Sequence, residues 1–159
     1  MTTIRPFRAG DQNAAKALIL AGLVEHWGIL DEAANPDLDD LAASYRDATI
    51  LVAVEGNQLV GTGILVPTHA GSGDIARESP IGEIVRMSVD GSQRRRGVGI
   101  AVLDALCAAA RAQGMSRLVL ETTASWSGVV AFYERYGFRH THDESSPYGT
   151  EAHFALALD

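Results

Sequence analysis

One stretch, from Glu83 to Ile100, constrains the fold of this chain more than any other, because it combines a strand, a turn, a basic glycine loop and a helix start. It reads EIVRMSVDGSQRRRGVGI. Ile84–Val89 is β-branched and apolar, which predicts a strand, and Asp90-Gly91-Ser92 ends it. The loop RRRGVG then runs into an apolar-periodic helix. Backbone N–H groups and a helix dipole at such a junction form an anion site, so the sequence predicts that an anion binds here.

Further elements of both kinds flank this stretch. Periodicity and turn residues predict strands at Thr3–Phe7, Thr49–Val54, Gln58–Val66, Ile84–Val89, Arg117–Thr122, Phe138–Thr141 and His153–Leu158, and helices at Gln12–Leu23 (capped by Asp11), Pro36–Arg46, Ile100–Gln113 and after Ser127. Ile100, Leu103, Cys107 and Ala110 form the expected core stripe of the third helix. Glu25–Asn35 is expected to be irregular, and Pro67–Pro80 to be a polar loop. This order predicts a mixed α/β fold in one domain, residues 1–159.

The composition and charge of the chain limit the kinds of partner that it can bind. The net charge is −7, which argues against nucleic acid or an anionic membrane. No apolar run approaches the roughly 20 residues of a membrane span. The N-terminus lacks the apolar core of a signal peptide, and the single cysteine excludes an internal disulfide. We therefore expect a cytoplasmic protein. The segment 21–47 carries seven acids against one base, Arg46. It is either a solvated face or a surface that attracts a cationic substrate.

The glycine loop does not fit two common phosphate-binding motifs. A Walker A loop requires Lys followed by Ser or Thr after its last glycine, whereas Gly99 precedes Ile100. A dinucleotide loop requires a third glycine, and position 102 is Val. An ordinary helix start with basic neighbours remains an alternative.

The combination of motifs resembles the GNAT superfamily of acetyl-CoA-dependent N-acetyltransferases. The family's motif Q/R-x-x-G-x-G/A is filled by RRRGVG at 94–99, and VRMSV before it and AFYERYGF (Ala131–Phe138) after it look like the neighbouring family motifs. The element order is similar from end to end. The resemblance implies a mixed, mostly antiparallel sheet flanked by about four helices, with two central strands that splay apart.

The resemblance also implies a cofactor site for acetyl-CoA, without a metal. Loop amides would hold the pyrophosphate, the pantetheine arm would pair with the strand edges at Met87–Val89 and Arg117–Thr122, and an N–H near Met87–Val89 would polarise the thioester carbonyl. The residues implied are Met87, Ser88, Val89, Arg94, Arg95, Arg96, Gly97, Val98, Gly99, Ile100 and Ser127. Where the family often has Asn, this chain has Gly128, so Ser127, Ser125 or Trp126 would replace that contact.

Two catalytic residues are implied. Tyr133 occupies the position of the family's general acid, although its place on the apolar stripe of its helix, taken alone, favours a core aromatic residue. Glu83, four residues before Met87, matches the catalytic glutamate of several members, and a strand-end glutamate in solvent is the alternative. Period-2 alternation would put Glu83, Val85, Met87 and Val89 on one face. Glu121 and the backbone are other candidates for the base.

The acceptor is expected to be a primary amine of a small molecule or peptide. Trp27 and His26 are candidate substrate-binding residues, and Trp27 could instead be core. The resemblance frames the acceptor site with segments 25–37, 68–80 and 141–150. The alternative to an enzyme is a non-catalytic domain that binds acyl-CoA. A module that binds nucleic acid through the basic loop is disfavoured by the negative net charge. A homodimer is left open.

Two further groups carry chemistry-bearing residue types. His140 and His142 should share a strand face, with Asp143 and Glu144 nearby, but no further spaced ligand cluster is visible, so no metal site is expected. Cys107 lies among alanines on a core stripe and is expected to be buried.

Overall fold

The computed structural model describes residues 1–28, 32–68, 80–147 and 149–159. The strands are β1 (Thr2–Pro6), β2 (Thr49–Glu55), β3 (Gln58–Thr68), β4 (Ile81–Val89), β5 (Arg117–Thr123), β6 (Arg139–Ser146) and β7 (Gly149–Ala157). The α-helices are α1 (Gln12–Trp27), α2 (Leu41–Ser44), α3 (Val98–Ala112) and α4 (Ser127–Tyr136). Most of the predicted polar loop, residues 69–79, lies outside the described residues.

The strands form one sheet in the order β1-β2-β3-β4-β5-β7-β6. Neighbouring strands are antiparallel, except β4 and β5, which are parallel and are joined through α3. The predicted mixed, mostly antiparallel sheet with four helices is confirmed.

The parallel pair in the middle of the sheet is short. Ile81, Gly82 and Glu83 pair with Arg117, Leu118 and Val119. β4 continues to Val89 and β5 to Thr123, and no further pairing joins them. The two strands therefore diverge beyond Glu83, which confirms the predicted splay and opens a gap in the sheet.

Each face of the sheet has its own core. α3 lies on one face, so close to β3 that a Cβ on Gly63 would sit 2.7 Å from a Val102 methyl carbon and 2.9 Å from one of Leu106. The opposite face carries α1, where Ala15, Ile19 and Leu20 are buried with Leu38 and Ile64. Because α1 contacts β3 and β4, the same face of β5, β7 and β6 stays more open.

A β-bulge in β4 separates residues expected on one face. Thr62 pairs with Ser88 and Ile64 with Val85, so Arg86 and Met87 stand opposite Gly63 alone. Arg86 has φ 53°, and the Thr62 hydroxyl donates to its carbonyl at 2.8 Å.

The bulge makes the predicted alternation wrong. Val85 packs against the α1-side core, whereas Met87 and Val89 pack against the α3-side core. Glu83 shares the side of Val85, because strand residues two apart point the same way before the bulge.

Side chains from distant segments hold the bulge. The Arg86 guanidinium donates to both carboxylate oxygens of Asp37, at 2.9 and 2.8 Å, and to the Asn35 side chain at 3.1 Å. Tyr45 adds a hydrogen bond to Asp37 at 2.6 Å. Burial alone would raise the pKa of Asp37, but these hydrogen bonds outweigh it and hold that pKa below its usual value.

The helices near the N-terminus differ from their predictions. α1 runs four residues beyond Leu23, and Gly28, at φ 78°, ends it by donating to the Val24 carbonyl at 2.7 Å. The last turn is exposed, so it shows no apolar period. Asp11 precedes α1, but its carboxylate binds Arg5 and the Arg8 amide instead of capping the helix.

The predicted helix Pro36–Arg46 is broken in two. Pro36–Asp39 is a 3₁₀ turn, and α2 spans only Leu41–Ser44. Asp40 lies between them at φ −151°, and its carboxylate accepts from the Ala43 amide at 3.1 Å. Aspartate prefers this capping role to a helix interior, which explains the break.

The stripe predicted for α3 is partly wrong. Leu103, Cys107 and Ala110 are buried as expected, but Ile100 is 50% exposed in the first turn, and Val98, Val102 and Leu106 complete the buried face instead. β6 begins after Phe138, and β6 and β7 form a longer hairpin than predicted. Among the described helices, none is long and apolar enough to cross a membrane.

Candidate active site

The loop before α3 has the backbone conformation of an anion site. Arg95 has φ 65° and Gly97 has φ 83°, so the loop contains two left-handed residues, as backbone nests that bind anions do. The first bond of α3 runs from the Ala101 amide to the Gly97 carbonyl at 3.0 Å. The amides of Val98, Gly99 and Ile100 precede that bond and have no partner within the helix. They can bind an anion.

The two glycines of this loop are required for different structural reasons. A side chain on Gly97 would meet no atom within 4 Å, but the positive φ of this residue favours glycine. A Cβ on Gly99 would sit 3.0 Å from the ring of Phe132, so Gly99 lets α4 approach α3. Gly99 is therefore also a packing residue.

The three arginines differ in their partners. Arg94 makes a bidentate ion pair with Glu25, in which Nη2 lies 2.6 Å from Oε2. Arg95 and Arg96 are exposed beside the loop. Glu25 belongs to the last turn of α1, so the tip of α1 is tied to the loop before α3.

The gap between β4 and β5 is bordered by Met87, Ser88 and Val89. All three are partly buried and lie between the bulge and the loop. β4 pairs with β5 only as far as Glu83, so the backbone edge of Met87–Val89 that faces β5 has no strand partner among the described residues and is free for a ligand.

Glu83 lies at the closed end of the gap, where β4 and β5 last pair. Burial raises the pKa of its carboxyl, the charge of Glu121 raises it further, and His153 lowers it. The net effect is a pKa above the usual value. Glu83 is thus a partly buried carboxylate that accepts a proton more readily than one in water.

Tyr133 lies in the α3-side core. The residue is 7% exposed, and its ring packs edge-on against Phe132 and Phe138, with centroids 5.2 and 5.7 Å apart. Burial raises the pKa of its hydroxyl, which therefore stays protonated at neutral pH. Tyr133 and Glu83 lie on opposite sides of the sheet, so a molecule contacting both must occupy the gap.

The tip of α1 and the start of α4 meet through three aromatic residues. His26 stacks on Trp126 with centroids 4.2 Å apart, and Trp27 meets Trp126 edge-on at 5.3 Å. Trp27 is 46% exposed, so it is not the core residue considered as an alternative. Ser127 follows Trp126 as the first, exposed residue of α4.

Most acids of segment 21–47 have intramolecular partners. Glu25 binds Arg94, Asp37 binds Arg86, and Lys16 meets both Glu32 and Asp39. Asp40 caps α2. These contacts favour structural roles for this segment over general attraction of a cation.

A cross-strand row of charged side chains was missed from the sequence as a group. Glu121 of β5 pairs with His153 of β7, and His153 pairs with His142 of β6. Glu144 lies beside them, with Oε2 3.7 Å from Nε2 of His153. The register of three strands assembles this row, so no local motif marks it.

A second bulge corrects the expectation that His140 and His142 share a face. His140 pairs with Phe154 and His142 with His153, which are consecutive residues of β7, so Thr141 is the extra residue. His140 accordingly packs edge-on against buried Phe154, and His142 stacks on His153. The structure also brings together a group that the sequence did not reveal, since His142, Glu144 and His153 each place one potential ligand atom within 4.8 Å of the others.

Comparisons with known proteins agree with this geometry. The acetyltransferase (GNAT) family matches residues 18–138. Escherichia coli YjgM, described as an uncharacterized N-acetyltransferase, is 32% identical over 137 residues, covering 80% of this chain and 77% of that protein. Rat N-acetyltransferase 8F1 is 31% identical over 111 residues, covering 66% of this chain and 47% of that protein.

The chain spans about half the length of the mammalian relatives it matches (47% for the rat protein). Among solved structures, a GNAT-family acetyltransferase from Staphylococcus aureus Mu50 superposes with a TM-score of 0.84 at 18% identity, covering 100% of both chains. At this identity, the structural similarity shows only that the fold is shared. The match to the family covers residues 18–138, which is most of the sequence. The chain therefore belongs to the GNAT family of acetyltransferases.

Proposed function

We propose that this protein transfers the acetyl group of acetyl-CoA to a primary amine of a small molecule or peptide, by direct attack of the amine on the thioester. Acetyl-CoA-dependent acetylation is the general reaction of the family. The observation that carries the proposal is the gap between β4 and β5, which has Glu83 at its closed end and the anion-binding loop after the far end of β4.

The cofactor is bound mainly by backbone groups in this proposal. The amides from Arg94 to Ile100 hold the pyrophosphate, helped by the dipole of α3. The pantetheine arm enters the gap along Met87–Val89 and β5. An N–H of Met87–Val89 stabilises the oxyanion that forms when the amine attacks. Arg94 must exchange Glu25 for phosphate if its side chain takes part.

Glu83 acts as the general base in this proposal. An amine is mostly ammonium at neutral pH, so a proton must leave before or during attack. A carboxyl with a raised pKa accepts that proton better than an ordinary glutamate, either directly or through a water. The neighbouring charge of Glu121 also favours a cationic acceptor on this side of the sheet.

Tyr133 acts as the general acid. Its protonated hydroxyl gives a proton to the departing CoA thiolate, and the phenolate is then reprotonated from solvent. Trp27 and His26, with Trp126, border the acceptor site at the tip of α1. Their exposed aromatic surface suits an acceptor with an apolar part beside its amine.

A second function, acyl-CoA binding without catalysis, is favoured by one observation. Tyr133 is 7% exposed and packed among aromatic rings, as a purely structural tyrosine would be. In that case acetyl-CoA binds, but no amine releases free thiol.

The test is thiol release from acetyl-CoA across a panel of polyamines, amino sugars, amino acids and peptides. The wild-type protein should turn over with at least one class, and Tyr133→Phe should keep its acetyl-CoA affinity while kcat falls about 10²- to 10⁴-fold. Tyr136→Phe is the matched control, since that hydroxyl binds Asp104 outside the gap. Unchanged turnover of Tyr133→Phe would remove the acid role, and tight CoA binding with no turnover on any amine would favour the binding function.

A further inference from the structure

The open face of β5, β7 and β6 holds two imidazoles and two carboxylates in contact. Glu121, His153 and His142 lie side by side on three neighbouring strands. The imidazole rings are stacked, with centroids 4.2 Å apart and planes inclined by 11°. Nε2 of His142 lies 3.4 Å from Glu144 Oε1, and Nε2 of His153 lies 3.4 Å from Glu121 Oε2.

His153 has an unused polar atom that is buried. Nε2 has no hydrogen-bond partner among the described residues, because its 3.4 Å contact with Glu121 Oε2 lacks hydrogen-bond geometry. The His153 side chain is only 20% exposed. A buried imidazole nitrogen without a hydrogen-bond partner has lost its hydration with no compensating bond. A bound ion would use the lone pair of that nitrogen.

The second imidazole is oriented by a neighbouring hydroxyl. Thr141 Oγ1 donates its one proton to the His153 carbonyl at 3.2 Å and lies 3.0 Å from Nδ1 of His142. The hydroxyl oxygen can therefore accept from Nδ1–H of His142, and an ion would then bind Nε2 in place of the 3.4 Å contact between Nε2 and Glu144 Oε1. Metal-binding histidines are commonly fixed in this way, with the second ring nitrogen donating to an outer group.

The dimensions suit a divalent transition metal. The three ligand atoms lie within 4.8 Å of one another. Ligands at about 2.0–2.1 Å around a tetrahedral ion stand about 3.4 Å apart. Small rotations of His142 and Glu144, whose side chains are 54% and 66% exposed, would close that difference. His₂Glu is a ligand set that zinc accepts and that leaves a fourth position for water or a further ligand.

From this geometry we propose that His142, His153 and Glu144 bind one divalent transition ion of the zinc class, with Glu121 adjacent. The Thr141 bulge is what creates the site, because it turns His142 toward His153 and His140 away. The ligands lie outside the cofactor gap, and the proposal does not depend on the acetyltransferase reaction.

The experiment is calorimetric titration of the untagged, chelator-stripped protein with ZnCl₂, and separately with MgCl₂. We expect one Zn²⁺ per chain and no Mg²⁺ heat, since Mg²⁺ prefers oxygen ligands. His142→Ala should weaken Zn²⁺ binding by about tenfold or more, and His140→Ala, the control on the opposite face, should leave it within about twofold. Glu144→Gln gives a second variant at an exposed site, and a thermal melt without metal checks that each variant folds.

Three results would overturn the proposal. The first is no saturable Zn²⁺ heat with wild type. The second is equal affinity in wild type, His142→Ala and Glu144→Gln, which would mean adventitious surface binding. The third is an equal loss in His140→Ala and His142→Ala. An acceptor amine that saturates the same residues while Zn²⁺ does not would instead assign the row to substrate binding.

Discussion

The anion loop before α3 and the carboxylate–imidazole row of β5, β7 and β6 are built in opposite ways. The loop is a run of consecutive residues that uses backbone amides, and the conformations of Arg95 and Gly97 direct them. The row uses side chains from three strands that are neighbours in the sheet and far apart in the sequence. Glu83, at the closed end of the β4–β5 gap, lies between the two regions. A local site can therefore be read from a motif, whereas a cross-strand site depends on the register of the strands.

The largest effect is expected at Glu83, the side chain between the two regions. Glu83→Gln should lower kcat about 10²- to 10⁴-fold, because the amide cannot accept the amine proton. Acetyl-CoA affinity should stay unchanged, since the backbone loop is untouched. Steady-state kinetics and a direct CoA-binding measurement check both. Glu134→Gln, an exposed position on α4, is the control, and a Glu83 variant with full turnover would transfer the base role to another group.

The next effect tests the β4 bulge at Arg86, which lies between Glu83 and the anion loop. Asp37→Asn should lower the free energy of unfolding by about 1–3 kcal/mol, because the Arg86 guanidinium loses its charged partner. The folded-state pKa of Asp37 is lowered, so its stabilisation is fully present above the unfolded pKa of about 3.9 and is lost as pH falls through the folded value. Denaturant melts at several pH values measure this difference. A difference in unfolding free energy between wild type and variant that grows as the pH is lowered would contradict this role of Asp37.

A smaller effect is expected from the loop. Gly97→Ala should weaken acetyl-CoA binding by about five- to thirtyfold, since a left-handed residue with a Cβ costs about 1–2 kcal/mol. The loss should appear in KM and Kd, with kcat largely retained. Gly91→Ala provides the control, because a Cβ there meets no atom within 4 Å and its φ is not positive. Equal effects of the two substitutions would mean that loop conformation does not set affinity.

The smallest effect concerns the link between Glu83 and the row. The charge of Glu121 raises the pKa of Glu83. Glu121→Gln should therefore move the acidic limb of kcat/KM to lower pH, because Glu83 then releases its proton more easily and stays a competent base in more acid solution. A pH–rate profile of chelator-stripped protein measures it. A limb that stays in place or moves to higher pH would uncouple the two carboxylates.

The fold was largely predictable, and so was the loop. Apolar alternation and turn residues marked the strands, and RRRGVG marked the loop because its function depends on local backbone. The break at Asp40 and the length of α1 were missed. Asp40 caps α2 and Gly28 ends α1, and helix periodicity in the sequence does not show where such caps will form.

The faces of β4 and β6 were predicted wrongly for one shared reason. Each strand contains one extra residue, near Arg86 and at Thr141, and period-2 alternation fails across it. In each case a threonine hydroxyl binds a backbone carbonyl at the bulge, from Thr62 to Arg86 and from Thr141 to His153. These contacts join residues on different strands, so no short sequence window contains them. The row of Glu121, His153 and His142 was invisible for the same reason.

The extra residue in β4 also bears on how this chain tolerates insertions and deletions. Removing Arg86 would leave Met87 opposite Gly63 and keep Ser88 opposite Thr62, so Met87 and Val89 would stay on the α3-side face in a regular ladder. Removing Ser88 instead would turn Val89 away from the α3-side core, because alternation after the bulge has a period of two residues. In a sequence alignment, a single-residue gap at the bulge therefore preserves inside and outside along the wall of the cleft, whereas a gap beyond the bulge exchanges them.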